Sequence, residues 1–184
     1  MNPLGAKTIE TERLILRKFV LADADNMFKN WTNDDEVTKY LTWPTHSDVE
    51  VSKSIVSLWE KESKIESNYQ WCIELKEIKE AIGSIGVVHS KEDIEAVEIG
   101  YCIGKAYWKQ GIVTEAFKAL IRFLFEEVQV NRIAARHDFN NPASGKVMAK
   151  CGLQLEGISR QADKNNTGIC DMVMYGMIKE DWKK

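Results

Sequence analysis

The chain has 184 residues, 44% of them apolar and 29% charged, a globular mixture long enough to bury a core as one domain over residues 1–184. A formal net charge of −3 and a pI of about 5.7 argue against direct nucleic-acid binding, whose affinity rests on a basic surface, and leave room for an amine-bearing partner. No run of about eighteen apolar residues is present to span a membrane, and the opening MNPLGAKTIETERLILRK lacks the apolar stretch of a secretory signal.

The elements follow in order. Thr11–Phe19 (TERLILRKF) puts Leu14 and Leu16 on one face of a first strand. Asp23–Trp31 has helical spacing, and a shorter helical piece, Asp34–Leu41, ends before Trp43-Pro44, where Pro44 disfavours helix. Ser47-Asp48-Val49-Glu50 offers a capping box for a helix to about Ser63, with Val51, Ile55, Leu58 and Trp59 on its apolar side. The period then changes to two. Tyr69–Leu75 and Ala81–Val88 read as strands around an exposed hairpin turn, and Ala96–Gly104 as a third in that run. Ile112 to about Val128 is a long helix and Arg132–His137 a strand. Pro142–Lys150 is a short helix with proline in its first turn and Gly152 as its stop. Leu153–Arg160 and Ile169–Ile178 close the chain as strands. The pattern predicts one α/β domain on a mixed sheet. Helical crossovers follow the fourth and fifth strands, which makes parallel neighbours of them, and ligands bind at the carboxyl ends of such strands where the pairing changes.

Four cysteines, Cys72, Cys102, Cys151 and Cys170, form no CxxC pair. Buried reduced thiols, no metal site and a cytoplasmic home are the expectation.

The stretch WKQGIVTEA, residues 108–116, leaves an apolar strand and enters the long helix through Gly111. Residues Gln110 to Thr114 would present successive backbone N–H groups at a helix start, where the dipole also favours an anion such as a phosphate. Lys105 and Lys109 add positive charge. The stretch is neither GxxxxGK[ST] nor GxGxxG, and a single glycine before a helix also fits an ordinary strand–helix turn.

Taken in order, the EIGYCIG strand, the KQGIVTEA turn and helix, the NRIAAR strand and the NPASGKVMAKCGL segment resemble the GNAT superfamily of acetyl-CoA-dependent N-acetyltransferases. Within it, TERLILRKF and EGISRQ (Glu156–Gln161) are similar to the RimJ/RimL-type ribosomal-protein N-terminal acetyltransferases. The resemblance covers nearly the whole chain. It implies an α+β fold whose mixed, mostly antiparallel central sheet carries helices on both faces. It implies acetyl-CoA as co-substrate, no metal, an amine acceptor, and a monomer or homodimer without nucleic-acid or membrane partners.

It also implies roles. Lys109, Gln110, Gly111, Ile112, Val113 and Thr114 would bind the CoA pyrophosphate through backbone N–H groups. The strand at Tyr101, Cys102 and Ile103 would pair with the pantetheine arm where two strands splay. Asn141 and Ser144 match the family's N-x-x-S, which faces the cofactor. The family turn is usually [Q/R]-x-x-G-x-[G/A]. Here Trp108 and Val113 depart from it, which leaves the backbone role intact. Many members place a proton-donating tyrosine where this chain has Met148, so Ser144 becomes the candidate acid, its alternative being a helix-start serine that satisfies backbone groups.

Glu98, in a largely apolar strand, is the candidate base; the alternative is a carboxylate paired with Arg or Lys. His137 is a weaker proton-transfer candidate, and His46 and His89 weaker still. Trp31, Tyr40 and Trp43, with Trp71 beside them, are candidates for an acceptor wall, and plain core packing is the alternative. Asp34, Asp35 and Glu36 would draw a cationic acceptor or form a solvated turn. A noncatalytic acyl-CoA-binding module, and a protein for another nucleotide such as ATP or NAD, are the rival functions.

Overall fold

The computed structural model describes residues 1–182. Two short strands open the chain, β1 (Ile9–Glu10) and β2 (Leu14–Arg17). The stretch read as one helix from Asp23 to Trp31 is helical but not uniform. A 3₁₀ turn (Leu21–Asp23) leads into α1 (Ala24–Met27), and a wider π turn follows (Phe28–Thr32). Then come α2 (Asp35–Thr38) and α3 (Val49–Glu62). Asp48, not Ser47, caps α3. Its backbone is extended and its carboxylate accepts from the N–H groups of Glu50 and Val51, a role aspartate fills as well as serine.

Strands β3 (Gln70–Leu75), β4 (Glu80–Lys91) and β5 (Ala96–Ile103) form a meander. Helix α4 (Ile112–Phe123) runs on through a π turn, Leu124–Val128. Strand β6 (Arg132–Asp138), α5 (Pro142–Lys150), β7 (Gln154–Asn165), β8 (Gly168–Ile178) and α6 (Lys179–Trp182) complete the described chain. Neither β1 nor α6 was legible in the pattern, since two and four residues carry no period.

One eight-stranded sheet results, in the order β1-β2-β3-β4-β5-β6-β8-β7. All neighbours are antiparallel except β5 and β6. The crossover through α4 makes that parallel pair as expected. The crossover through α5 also returns the chain in the same direction, but β8 inserts between β6 and β7, so those two are not neighbours.

The sheet divides two cores by side-chain alternation. Leu14, Leu16, Trp71, Ile73, Val97, Ile99, Ile133 and Ala135 pack with Phe117, Leu120 and Ile121 of α4 and Met148 of α5. On the opposite face, Cys72 and Ala81 pack with Phe19, Met27 and Trp31, with Val56 of α3, and with the partly buried Cys102. Helices therefore cover both faces. Phe117, Leu120 and Ile121 are fully buried, each contributing about 1.5–3 kcal/mol, which anchors α4 and with it the loop at its start. The four cysteines are free; Cys102 is partly exposed and the other three are buried.

Candidate functional site

The parallel pair β5–β6 is short. Ala96, Val97 and Glu98 pair with Arg132, Ile133 and Ala134, and there the pairing stops. Beyond that point Ile99–Ile103 pair only with β4, and Ala135–Asp138 only with β8. The strands diverge toward their carboxyl ends and leave an open edge on each. Exposed strand edges are rows of unmet N–H and C=O groups that pair with any extended ligand backbone. Tyr101, Cys102 and Ile103 border this gap.

At the end of β5 the chain makes the WKQGIVTEA turn. Lys109 and Gly111 both lie in the left-handed region, with φ of 61° and 76°. At Gly111 the backbone angle demands glycine rather than lack of room, because an added Cβ would meet only Arg13 Nη2, at 3.7 Å. Gly111 is the residue before α4 and no side chain caps that helix. The first internal bond runs from the Glu115 N–H to the Gly111 carbonyl. The N–H groups of Ile112, Val113 and Thr114 therefore have no acceptor among the described residues, as at any uncapped helix start. The loop is held from behind. The Trp108 indole donates to the Ile103 carbonyl at 3.0 Å and the Gln110 amide to the Ala106 carbonyl at 2.8 Å.

Arg13 forms the rest of this support. Its Nε donates to Glu115 Oε2 at 2.7 Å and its Nη1 to the Gln110 carbonyl at 3.0 Å. Its own N–H and the Thr11 hydroxyl donate to Glu115 Oε1 at 2.9 and 2.6 Å. Burial pushes the Glu115 carboxyl up, but the three donations it receives and the Arg13 charge outweigh this and hold it below the usual carboxylate range. Sequence reading missed Arg13 and Glu115, which lie 102 residues apart.

Ser144 sits in the first turn of α5, where Pro142 follows Asn141. Tyr101 reaches across from β5, its phenol oxygen 2.9 Å from both Ser144 Oγ and the Ser144 carbonyl oxygen. Asn141 precedes α5 without capping it through its side chain. The close approach of α5 to β6 depends on Gly145, where a Cβ would stand 2.4 Å from His137 Nε2.

Glu98 lies on the other face of the sheet, the face of Cys102, opposite His89 of β4 in the ladder. It is ion-paired: Arg136 Nε lies 2.8 Å from Glu98 Oε1, and Arg136 Nη2 lies 3.2 Å from Asp163 of β7. Arg136 comes two residues after the last paired residue of β6, so this contact spans the apex of the gap. Arg136 and Asp163 were not among the sequence candidates.

The remaining candidates scatter. Trp31 is fully buried in the core, its indole N–H without a partner, and lines no opening. Tyr40 and Trp43 are partly exposed beside α2. The Trp43 and Thr38 carbonyls both accept from the Asn166 side chain, which docks the β7–β8 turn onto this segment. Trp71 is core, its indole bonded to the Lys7 carbonyl. His137 is buried, its Nδ1 on the Asp138 carbonyl and its ring against Tyr175. His46 is buried with its Nδ1 2.7 Å from Ser52 Oγ, and burial lowers its pKa. His89 is exposed. Asp34 caps α2, Asp35 accepts from Thr45, and Glu36 pairs with Lys105 at 2.6 Å. An open recess of about 540 Å³, lined by Lys29, Asn30, Asn33, Asp34, Lys105 and Tyr107 among others, lies beyond the end of β5. Among the described residues no group of three His, Cys, Asp or Glu side chains is placed to hold a metal, and no helix is long and apolar enough to cross a membrane.

The gap, the loop with free N–H groups and the α5 serine all lie within the part of the chain that matches a known family. Residues 13–154 match the model of the acetyltransferase (GNAT) domain. A protein named uncharacterized N-acetyltransferase p20, from Bacillus licheniformis, is 32% identical over 176 residues, 96% of this chain and 98% of that protein. The ribosomal-protein-serine acetyltransferase of Escherichia coli is 30% identical over 99 residues, 54% of this chain and 55% of that protein. The crystal structure of a GNAT-family acetyltransferase from Bacillus anthracis superposes with a TM-score of 0.83 at 25% identity, covering 95% of this chain and 99% of that one. With the family model spanning most of its length and an acetyltransferase relative matching nearly end to end, this chain belongs to the GNAT acetyltransferase family.

Proposed function

We propose that this chain, as one domain, transfers an acetyl group from acetyl-CoA to a primary amine. The observation that carries the reading is the juxtaposition of an open strand edge at Ile99–Ile103 with three free N–H groups at Ile112–Thr114. An extended amide-bearing arm fits the edge, and a pyrophosphate fits the helix start. Acetyl-CoA supplies an activated acyl group on a sulfur leaving group. The chain's own groups do the rest. Glu98, or water beside it, accepts the proton lost by the attacking amine, once Arg136 turns to Asp163. The amine nitrogen bonds to the carbonyl carbon as the carbon–sulfur bond breaks, and the electron pair goes to sulfur. Ser144 donates a hydrogen bond toward that sulfur, and the proton given up by the amine balances the thiol formed.

A protein N-terminus, such as that of a ribosomal protein, is the acceptor favoured by the Escherichia coli relative's name; a small amine is the other. Partly exposed Tyr40 and Trp43 and the docked β7–β8 turn form the wall on that side. Four free thiols suit a reducing cytoplasm. One observation favours a noncatalytic acyl-CoA binder instead: Met148, buried in the core, offers no proton.

Thermal unfolding with acetyl-CoA, CoA, ATP or NAD tests the reading. A ligand at a hundred times its Kd adds about 2.7 kcal/mol, roughly 5–10 °C for a chain of this size. Stabilisation by acetyl-CoA and CoA alone is expected; none with either refutes both acyl-CoA readings. Thiol release on adding peptide N-termini or small amines then separates a transferase from a binder.

A further inference from the structure

Among the described residues Ser144 has one side-chain partner, the Tyr101 phenol, which also lies within reach of the Ser144 carbonyl oxygen, both at 2.9 Å. A phenol carries one proton, so it serves one of these oxygens at a time. In one arrangement Tyr101 donates to the carbonyl and the serine hydroxyl donates back to the phenol oxygen. The serine proton is then consumed and nothing remains for a ligand. In the other, Tyr101 donates to Ser144 Oγ. The serine proton must then point away from Tyr101, out of a residue that is itself only partly buried.

Two further facts bear on the choice. Burial pushes the Tyr101 phenol above its ordinary pKa, more than its contact with the Ser144 hydroxyl pulls it down, so the phenol keeps its proton as a donor. Its ring is fixed against Phe117 of α4, with centroids 5.6 Å apart. Tyr101 is thus a protonated hydroxyl, packed on α4, that joins β5 to α5 beside the gap.

We propose that Tyr101 is a positioning residue for Ser144: its phenol donates to Ser144 Oγ and turns the serine proton into the gap, where the sulfur of a bound coenzyme A accepts it. The inference rests on the acyl-CoA reading of the gap. Neither residue changes charge in this role; the hydrogen bonds only reorient. The consequence is measurable without any acceptor. A hydrogen bond to the thiolate form favours it and lowers the pKa of the bound thiol.

The experiment uses the full chain with coenzyme A as probe. Calorimetry first measures binding to wild type, Tyr101→Phe, Ser144→Ala and the double variant, with desulfo-coenzyme A as a ligand that lacks the sulfur. The thiol pKa of bound coenzyme A is then read from thiolate absorbance against pH. Tyr101→Phe removes one oxygen and keeps the ring on Phe117, so desulfo-coenzyme A should bind it as it binds wild type. The bound thiol should lose about tenfold in ionisation constant in Ser144→Ala, one pKa unit, by a comparable factor in Tyr101→Phe, and no further in the double variant. An unchanged thiol pKa in Tyr101→Phe overturns the proposal. So does an unchanged pKa in Ser144→Ala, or a double variant whose losses simply add. Absence of coenzyme A binding to wild type refutes the acyl-CoA reading itself.

Discussion

Two glycines at the site are required for opposite reasons, and the difference is measurable. Gly111 has space but an unfavourable backbone angle, φ 76°, for any residue with a Cβ. Gly145 has an ordinary helical backbone but no space: a Cβ would stand 2.4 Å from His137 Nε2 and 3.1 Å from two ring carbons. The His137 ring cannot retreat, because Nδ1 is bonded to the Asp138 carbonyl and Tyr175 packs against it. Gly111→Ala should therefore cost about 1–2 kcal/mol, the strain of a left-handed residue. Gly111→Asn should cost less, since asparagine tolerates that region. Gly145→Ala should cost about 1–3 kcal/mol by overpacking, and His137→Ala should recover part of that loss in the double variant, because it removes the ring that the methyl group meets. Urea unfolding of the four variants and the double variant checks both halves. Equal costs for Gly111→Ala and Gly111→Asn would show that the backbone angle is not what selects glycine.

Between elements, the Arg13–Glu115 contact joins the first strands to the start of α4 and to the loop that precedes it. Arg13→Ala leaves a mostly buried carboxylate with the Thr11 hydroxyl and one backbone donor. Hydrogen bonds to charged groups are worth about 1.5–3 kcal/mol, and the partial exposure of Arg13 puts the expected loss toward the lower end. Lysine keeps the charge but not the fork, so Arg13→Lys should fall between. The pH dependence has a definite sign. Because the folded-state carboxyl of Glu115 is held below its ordinary value, its contribution is present above the unfolded carboxylate range and is lost as pH falls through the lower folded value. The gap in urea midpoint between wild type and Arg13→Ala should be constant from about pH 6 to 8 and close below about pH 4. A gap that persists in acid would assign the loss to packing of the Arg13 stem. This clasp also marks where sequence reading stops. Period and caps located α3, α4, α5 and most strands, because those signals are local: Leu14 and Leu16 alternate, and Pro142 and Gly152 bracket α5. The motif order located the loop and Ser144. Arg13–Glu115, Glu98–Arg136 and the insertion of β8 between β6 and β7 are set by pairings of distant segments, and no local pattern encodes them. Trp31 illustrates the converse, an aromatic whose type suggested a wall and whose position in the π turn after α1 put it in the core.

For the molecule as a whole, the decisive feature is the sheet's one parallel junction, which parts along its length. Seven strand junctions hold it together, and only the β5–β6 junction opens after three residue pairs. A ligand that completes the sheet there should change backbone protection in a pattern no other binding mode gives. Amides of Ala96–Glu98 are paired already and should exchange slowly with or without ligand. Amides within Ile99–Ile103 and Ala135–Asp138 that face the gap, and those of Ile112–Thr114, lack that protection and should slow on adding acetyl-CoA. The recess lined by Lys29, Asn30, Asn33 and Lys105 supplies the contrast, since it carries two lysines and sits beyond the end of β5. An anion held there would protect Phe28–Asp34 and Lys105–Tyr107 and leave the gap unchanged. Hydrogen exchange followed peptide by peptide, with acetyl-CoA against buffer alone, distinguishes the two. Slowing confined to the two strand edges and the α4 start supports the open junction as the acyl-CoA site. Slowing confined to the recess would move the site there and make the free N–H groups of Ile112–Thr114 those of an ordinary helix start.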